Sequence, residues 1–170
     1  MGEGILMAGR GRAAAGSRGT RAGMPVNRAS QRIRGVYAEI KKNGYTRTQP
    51  FSIGSVGEDV KRFAARKGIA LASKDIYVNA RFLSHSQRAS KGTKRVTKKD
   101  IMDFPVTKRK MSKYWDGDAF VFTNGKIKFI VNPNYELKIN RKTKVKVCLV
   151  TAGTVADPNE FTRLKKYEKV

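Results

Sequence analysis

Ala119-Phe120-Val121-Phe122-Thr123-Asn124-Gly125-Lys126-Ile127-Lys128-Phe129-Ile130-Val131 decides the fold. Two β-prone runs flank Thr123-Asn124-Gly125, and Asn-Gly accepts the positive φ that a tight hairpin turn demands. The first run is apolar throughout, and the second alternates Lys with Ile or Phe. Downstream, Tyr135 to Ile139 and Lys144 to Thr151 form a second pair around Asn140-Arg141-Lys142-Thr143. In the last of these, Val145, Val147 and Leu149 alternate with Lys144, Lys146 and Cys148. The C-terminal half therefore predicts an antiparallel sheet of about four strands.

Upstream the period changes. Ala29, Ile33, Val36, Tyr37 and Ile40 recur at helical spacing, so a helix is expected over Asn27 to Asn43, with Arg28, Arg32, Arg34, Lys41 and Lys42 on its solvated face. Pro50 to Val56 predicts a short strand. Glu58 to Lys67 predicts a second helix, with acids at its positive end, Arg66 and Lys67 at its negative end and Gly68 as its stop. Ile69–Leu71 and Ile76–Val78 are short apolar runs. Thr97 to Asp100 has the pattern of a helix cap before Ile101, Met102 and Phe104, with Pro105 stopping or restarting that helix. Helices followed by an antiparallel sheet make an α+β domain.

The expected organisation is an Arg/Gly/Ala-rich tail over residues 1–26, one domain over 27–162, and a charged C-terminal tail over 163–170. The first stretch has too few large apolar residues to offset the entropy of ordering it, and is expected to be disordered. Ile5 to Ala8 is far shorter than the apolar core of a secretory signal. The Arg-rich, acid-poor start also resembles an organelle transit peptide.

In 170 residues, 37 Lys and Arg face 13 Asp and Glu, a formal charge of +24. So single-signed a field draws phosphate polymers, with strong salt dependence through counterion release. No apolar run reaches the roughly 18 residues of a membrane-spanning helix. One Cys and one His exclude a disulfide framework and a soft-metal site, and neither metal nor cofactor is expected.

His85 is the one histidine. It falls in Asn79-Ala80-Arg81-Phe82-Leu83-Ser84-His85-Ser86-Gln87-Arg88, a short helix that Asn79 caps directly after a strand. Arg81, His85 and Arg88 recur at spacings of four and three, which line side chains along one face. An imidazole titrating near neutral pH among fixed cations is the candidate for proton transfer. The basic loop that follows, with Lys91, Lys94, Arg95, Lys98 and Lys99, is a candidate phosphate contact. Tyr114-Trp115 is a candidate base-stacking pair. The plainer alternatives are a surface histidine, a solvated loop and core aromatics.

Several short motifs also carry a resemblance. Phe-Ser-Ile-Gly-Ser-Val (51–56), Gly-Ile-Ala-Leu (68–71), Leu-Ser-His (83–85), Lys-Lys-Asp-Ile with Phe-Pro (98–105) and Leu-Val-Thr-Ala (149–152) together resemble the phage-associated nucleases grouped with barnase, EndoU, the colicin tRNases and RelE, the BECR fold. The resemblance covers about residues 50–162. It implies N-terminal helices on a four-stranded antiparallel sheet, and a metal-independent, toxin-type ribonuclease that cleaves RNA to a 2′,3′-cyclic phosphate. His85 would match the family's helical histidine and Thr151 its late-strand hydroxyl, with Arg88 or Arg81 stabilising the phosphoryl charge. This chain has no second histidine, so Tyr135 and Glu136 become the candidate acid–base partners. The partners implied are RNA (tRNA or ribosomal), an acidic inhibitor or immunity protein, and virion proteins, in a cytoplasmic or virion-associated setting. The alternative is a non-catalytic, basic RNA- or DNA-binding protein.

Overall fold

The structure, a computed structural model, describes residues 24–86 and 96–170. Among them run, in order, α1 (Met24–Asn43), β1 (Phe51–Ser55), α2 (Glu58–Lys67), β2 (Asp75–Val78), α3 (Ala80–Ser86), α4 (Lys98–Thr107), β3 (Ser112–Trp115), β4 (Phe120–Thr123), β5 (Ile127–Lys138), β6 (Lys144–Thr154), α5 (Glu160–Arg163) and β7 (Glu168–Lys169). The strands form one sheet in the order β1-β2-β6-β5-β4-β3-β7. Neighbours are antiparallel except β2 and β6, which run parallel.

This overturns the expected antiparallel sheet of about four strands. The sheet has seven strands and is mixed. β1 and β2, from the helical half of the sequence, extend one side of it, and β3 and β7 extend the other. These four strands have only two to five residues each. That is too short for alternation to register, and their stability comes from the neighbours they pair with.

Side-chain alternation sorts the core onto two faces. Ile76, Val78, Phe120, Phe122, Phe129, Val131, Cys148 and Val150 point to the face that α1, α2, α3 and α4 cover with Ile33, Val36, Val60, Phe63, Leu83, Ile101 and Phe104. The opposite face is lightly covered. There Val121 meets Val155 and Phe161 beside Tyr114 and Tyr167, and Leu137, Val147 and Leu149 form a separate small cluster.

The hairpin forms where Asn-Gly placed it: Gly125 has φ +93, and the Asn124 side chain accepts from the backbone N–H of Lys126 and of Ile127 at 2.9 and 3.0 Å. β5 then continues through the expected break at residues 132–134. Its register against β6 shifts between Asn132 and Tyr135, a bulge that accommodates Pro133 and its missing donor. Both carbonyl partners of the Cys148 thiol lie close by, Ser73 at 3.3 Å and Pro133 at 3.4 Å.

Ile69–Leu71 is not a strand; the Ile69 N–H instead bonds back to Ala64 at 2.8 Å and closes α2. α1 begins at Met24, three residues before Asn27. α4 has the expected cap, with Thr97 and Asp100 in a reciprocal capping box, but it runs through Pro105 to Thr107. Phe104 holds that turn by stacking on Phe129, ring centroids 3.9 Å apart. The C-terminal residues 168–170 are tied to β3, through β7 and a 3.0 Å bond from the Val170 N–H to the Lys113 carbonyl.

Candidate functional site

A cleft of about 570 Å³ opens where α1, β1, the start of α2 and the end of α4 meet. Two of its walls, α1 and the end of α4, contribute cations. Arg28 and Arg32 lie one turn apart on α1, so they share a face. Lys108 and Arg109 follow the last turn of α4, and Glu58 is the one carboxylate in the lining. Arg32 is held in place over the Phe51 ring, 4.4 Å from its centroid.

The floor is built by a backbone irregularity. β1 loses register against β2 between Ser52 and Ser55, and Gly54 takes φ +111 there. That φ is one that residues with a side chain rarely adopt, and a Cβ there would stand in ordinary van der Waals contact with Lys108, 3.4 Å from Cε and 3.5 Å from Nζ. Lys108 is 8% exposed, and its ammonium donates to the Ser55 carbonyl at 2.8 Å. Of its three N–H donors that bond uses one. Burial, then the like charges of Arg109 and Lys113, push its pKa below the ordinary lysine value, against the pull of Asp75 and Asp59.

The nearby carboxylates are already engaged. Ser52 Oγ donates to Asp75 at 2.8 Å, and Lys113 Nζ lies 2.8 Å from Asp59. Burial pushes the Asp59 carboxyl up, but the Lys113 bond, the Val60 N–H and the lysine charge outweigh it, leaving the pKa below its usual value. The cleft thus combines concentrated positive charge with a partly desolvated ammonium, a setting suited to phosphate oxygens.

No family model, curated protein or solved structure matches this chain. No helix among the described residues is long and apolar enough to cross a membrane.

The residues singled out in the sequence are dispersed. His85 lies on α3, whose backbone is described; its side chain, together with Arg88, Lys91, Lys94 and Arg95, lies outside the described residues. Asn79 caps α3 as expected, accepting from the Arg81 N–H at 2.9 Å, and Arg81 is exposed. Lys98 sits 5.5 Å from the Tyr37 ring centroid, and Lys99 is paired with Asp103 at 2.5 Å, which raises its pKa.

Tyr114 and Trp115 are adjacent on β3 and so face opposite ways. Trp115 packs beside Phe120 on the helical face, and Tyr114 stacks on Phe161 with centroids 5.0 Å apart. Thr151 is exposed and shares the parity of Val147 and Leu149, so it lies on the face away from α3's buried Leu83. Tyr135 and Glu136 are exposed beyond the bulge. Tyr135 pairs with Val147, about 13 Å along β6 from Thr151.

Lys108 and Arg109 are not among the residues that stand out in the sequence, where the helical period puts Arg28 and Arg32 on a solvated face. The signal available was Ile53-Gly54-Ser55, where a glycine inside a strand marks a bulge or a close approach.

Proposed function

We propose that this protein binds nucleic acid through its phosphates, with the cleft between α1, β1 and α4 seating part of the backbone. The observation that carries the proposal is that cations from two helices converge on a cleft with one carboxylate, in a chain of net charge +24. Phosphate contacts of this kind are sequence-tolerant and release counterions on binding. The same charge makes an acidic inhibitor or an acidic virion surface a fitting protein partner.

A second reading, metal-independent RNA cleavage at His85, is favoured by one observation. β2 is the strand that runs parallel to β6, with Tyr77 opposite Leu149, and the helix bearing His85 leaves its carboxyl end. In open, mostly parallel α/β sheets, ligand sites gather at the carboxyl ends of parallel strands, and β2 and β6 are the one such pair among the described residues. In this reaction a base takes the proton from the ribose 2′-OH, and the freed oxygen attacks the adjacent phosphorus. The bond to the 5′-oxygen breaks, and an acid protonates that leaving oxygen; the products are a 2′,3′-cyclic phosphate and a 5′-hydroxyl end. An imidazole suits either proton transfer. Because Thr151 lies on the far face, its hydroxyl would meet the phosphate only around the end of the sheet.

One experiment addresses both readings: incubation with total RNA and tRNA in excess EDTA across a salt series, with end-group analysis. Binding that weakens steeply with salt is the expected result, and binding that is absent or insensitive to salt refutes the proposal. Cyclic-phosphate ends that fall about 100-fold in His85→Ala support cleavage, whereas RNA left intact by the wild-type protein refutes it.

A further inference from the structure

β5 and β6 outrun the sheet. β5 pairs with β4 only as far as Val131, and β6 pairs with β2 only at Cys148 and Leu149. Tyr135–Lys138 and Lys144–Val147 consequently have only each other, a two-stranded ribbon closed by residues 139–143. The tip is fixed locally: the Asn140 side chain accepts from the N–H of Lys142 at 2.9 Å and of Thr143 at 2.8 Å, and the Ile139 N–H donates to the Thr143 carbonyl at 2.9 Å.

The ribbon has two unlike faces. Leu137, Val145 and Val147 are on one, packed toward Leu149 and Tyr77. Lys138, Lys144 and Lys146 are on the other with Glu136, all exposed, and the tip adds exposed Arg141 and Lys142. None of these five cations forms an ion pair among the described residues.

Lys138 stands directly opposite Lys144. Like charges at directly opposed positions destabilise a strand pair, so the ribbon carries a repulsion that an anion between the two ammonium groups would relieve. Lys144 and Lys146, two residues apart, are spaced about 6.8 Å along the strand.

We propose that this ribbon is a second nucleic-acid contact, whose basic face tracks the phosphates of a single RNA strand. It rests on the nucleic-acid reading above but is separate from the cleft, and the occupant is chosen by charge complementarity and by the linear repeat of the lysines. Single strands are held in this way by cationic tracks that follow the backbone.

The test uses the full chain and a single-stranded 2′-O-methyl RNA of about 20 nucleotides, long enough to span the track; lacking the attacking hydroxyl, it survives any cleavage. Lys144→Glu should leave the melting temperature unchanged or raised, because it turns a repulsive pair into an attractive one. It should also weaken RNA binding at least about five-fold at 0.1 M salt, the effect of one lost phosphate contact. Replacing Lys138, Lys144 and Lys146 together by Gln should reduce the slope of log affinity against log salt by about 2.

Wild-type affinity and slope in both variants, while Arg28→Gln with Arg32→Gln weakens binding, would overturn the ribbon proposal and leave the cleft standing. Failure of the wild-type protein to bind the RNA overturns both. If the ribbon variants lose binding to polyglutamate but keep RNA affinity, the ribbon is a site for an acidic protein and the proposal is wrong.

Discussion

Replacing Lys108 with Met separates a functional cation from a structural strut. Methionine keeps most of the length and apolar contact of the side chain and removes the charge. Two opposing terms set the stability change. The bond from the ammonium to the Ser55 carbonyl is lost, and hydrogen bonds to charged groups contribute about 1.5–3 kcal/mol. Against this, the variant no longer buries a charge at 8% exposure beside Arg109 and Lys113, the cause of the lowered pKa. An unpaired charge is costly to bury, so its removal offsets the lost bond and the expected net change is within about 1 kcal/mol of zero. RNA affinity, by contrast, should fall about five-fold at 0.1 M salt, as one phosphate contact is lost.

The pH dependence has a definite sign. Lys108 titrates below 10.5 in the fold and near 10.5 when unfolded, so between those values the unfolded chain binds more protons and stability rises with pH. That rise should vanish in Lys108→Met. Urea melts over a pH series and RNA titrations by anisotropy measure both quantities. A loss of more than about 3 kcal/mol, the cost of breaking a structural bond to charge, together with unchanged RNA affinity would refute the reasoning and make Lys108 a strut.

Tyr167→Phe removes a hydroxyl that donates to Glu160 at 3.0 Å, leaving that carboxylate, 9% exposed, with Lys128 at 3.4 Å; chemical denaturation should show a loss of about 1–2 kcal/mol. Burial, then the Glu160 bond and charge, push Tyr167 up to about 12 from 10.0. Its contribution is therefore intact below pH 10 and lost as the pH rises toward 12, and a spectroscopic titration should show a tyrosine ionising near 12 that is lost in the variant. Cys148 is fully buried, so an aromatic disulfide reagent should label it at the rate of unfolding, and fast labelling of native protein would contradict its position on β6, between β2 and β5 and beneath the helices.

Much of the local structure was legible. α2 occupies its expected bounds, Asn79 and Thr97 cap the helices they precede, and Asn124-Gly125 turns the hairpin. Each is decided by groups within a few residues of one another. The strand count was not legible, because β3 and β7 form only against partners and β2 is completed by β6 from about 70 residues away. Nor was the end of β5: Pro133 marks a break in sequence, but a bulge against β6 absorbs it.

The site divides along the same line. Composition alone established a cationic chain and hence a polyanionic partner, because net charge is a sum that no fold can alter. Which cations act together was decided by tertiary structure. Lys108 sits in a run of lysines and arginines with nothing local to distinguish it, and becomes buried where it reaches β1 and donates to the Ser55 carbonyl, 53 residues earlier. Arg28 and Arg32 become one wall of a cleft only when α1 packs on β1 and α4. Burial and convergence depend on contacts distant in sequence, whereas charge, caps and turns depend on near neighbours.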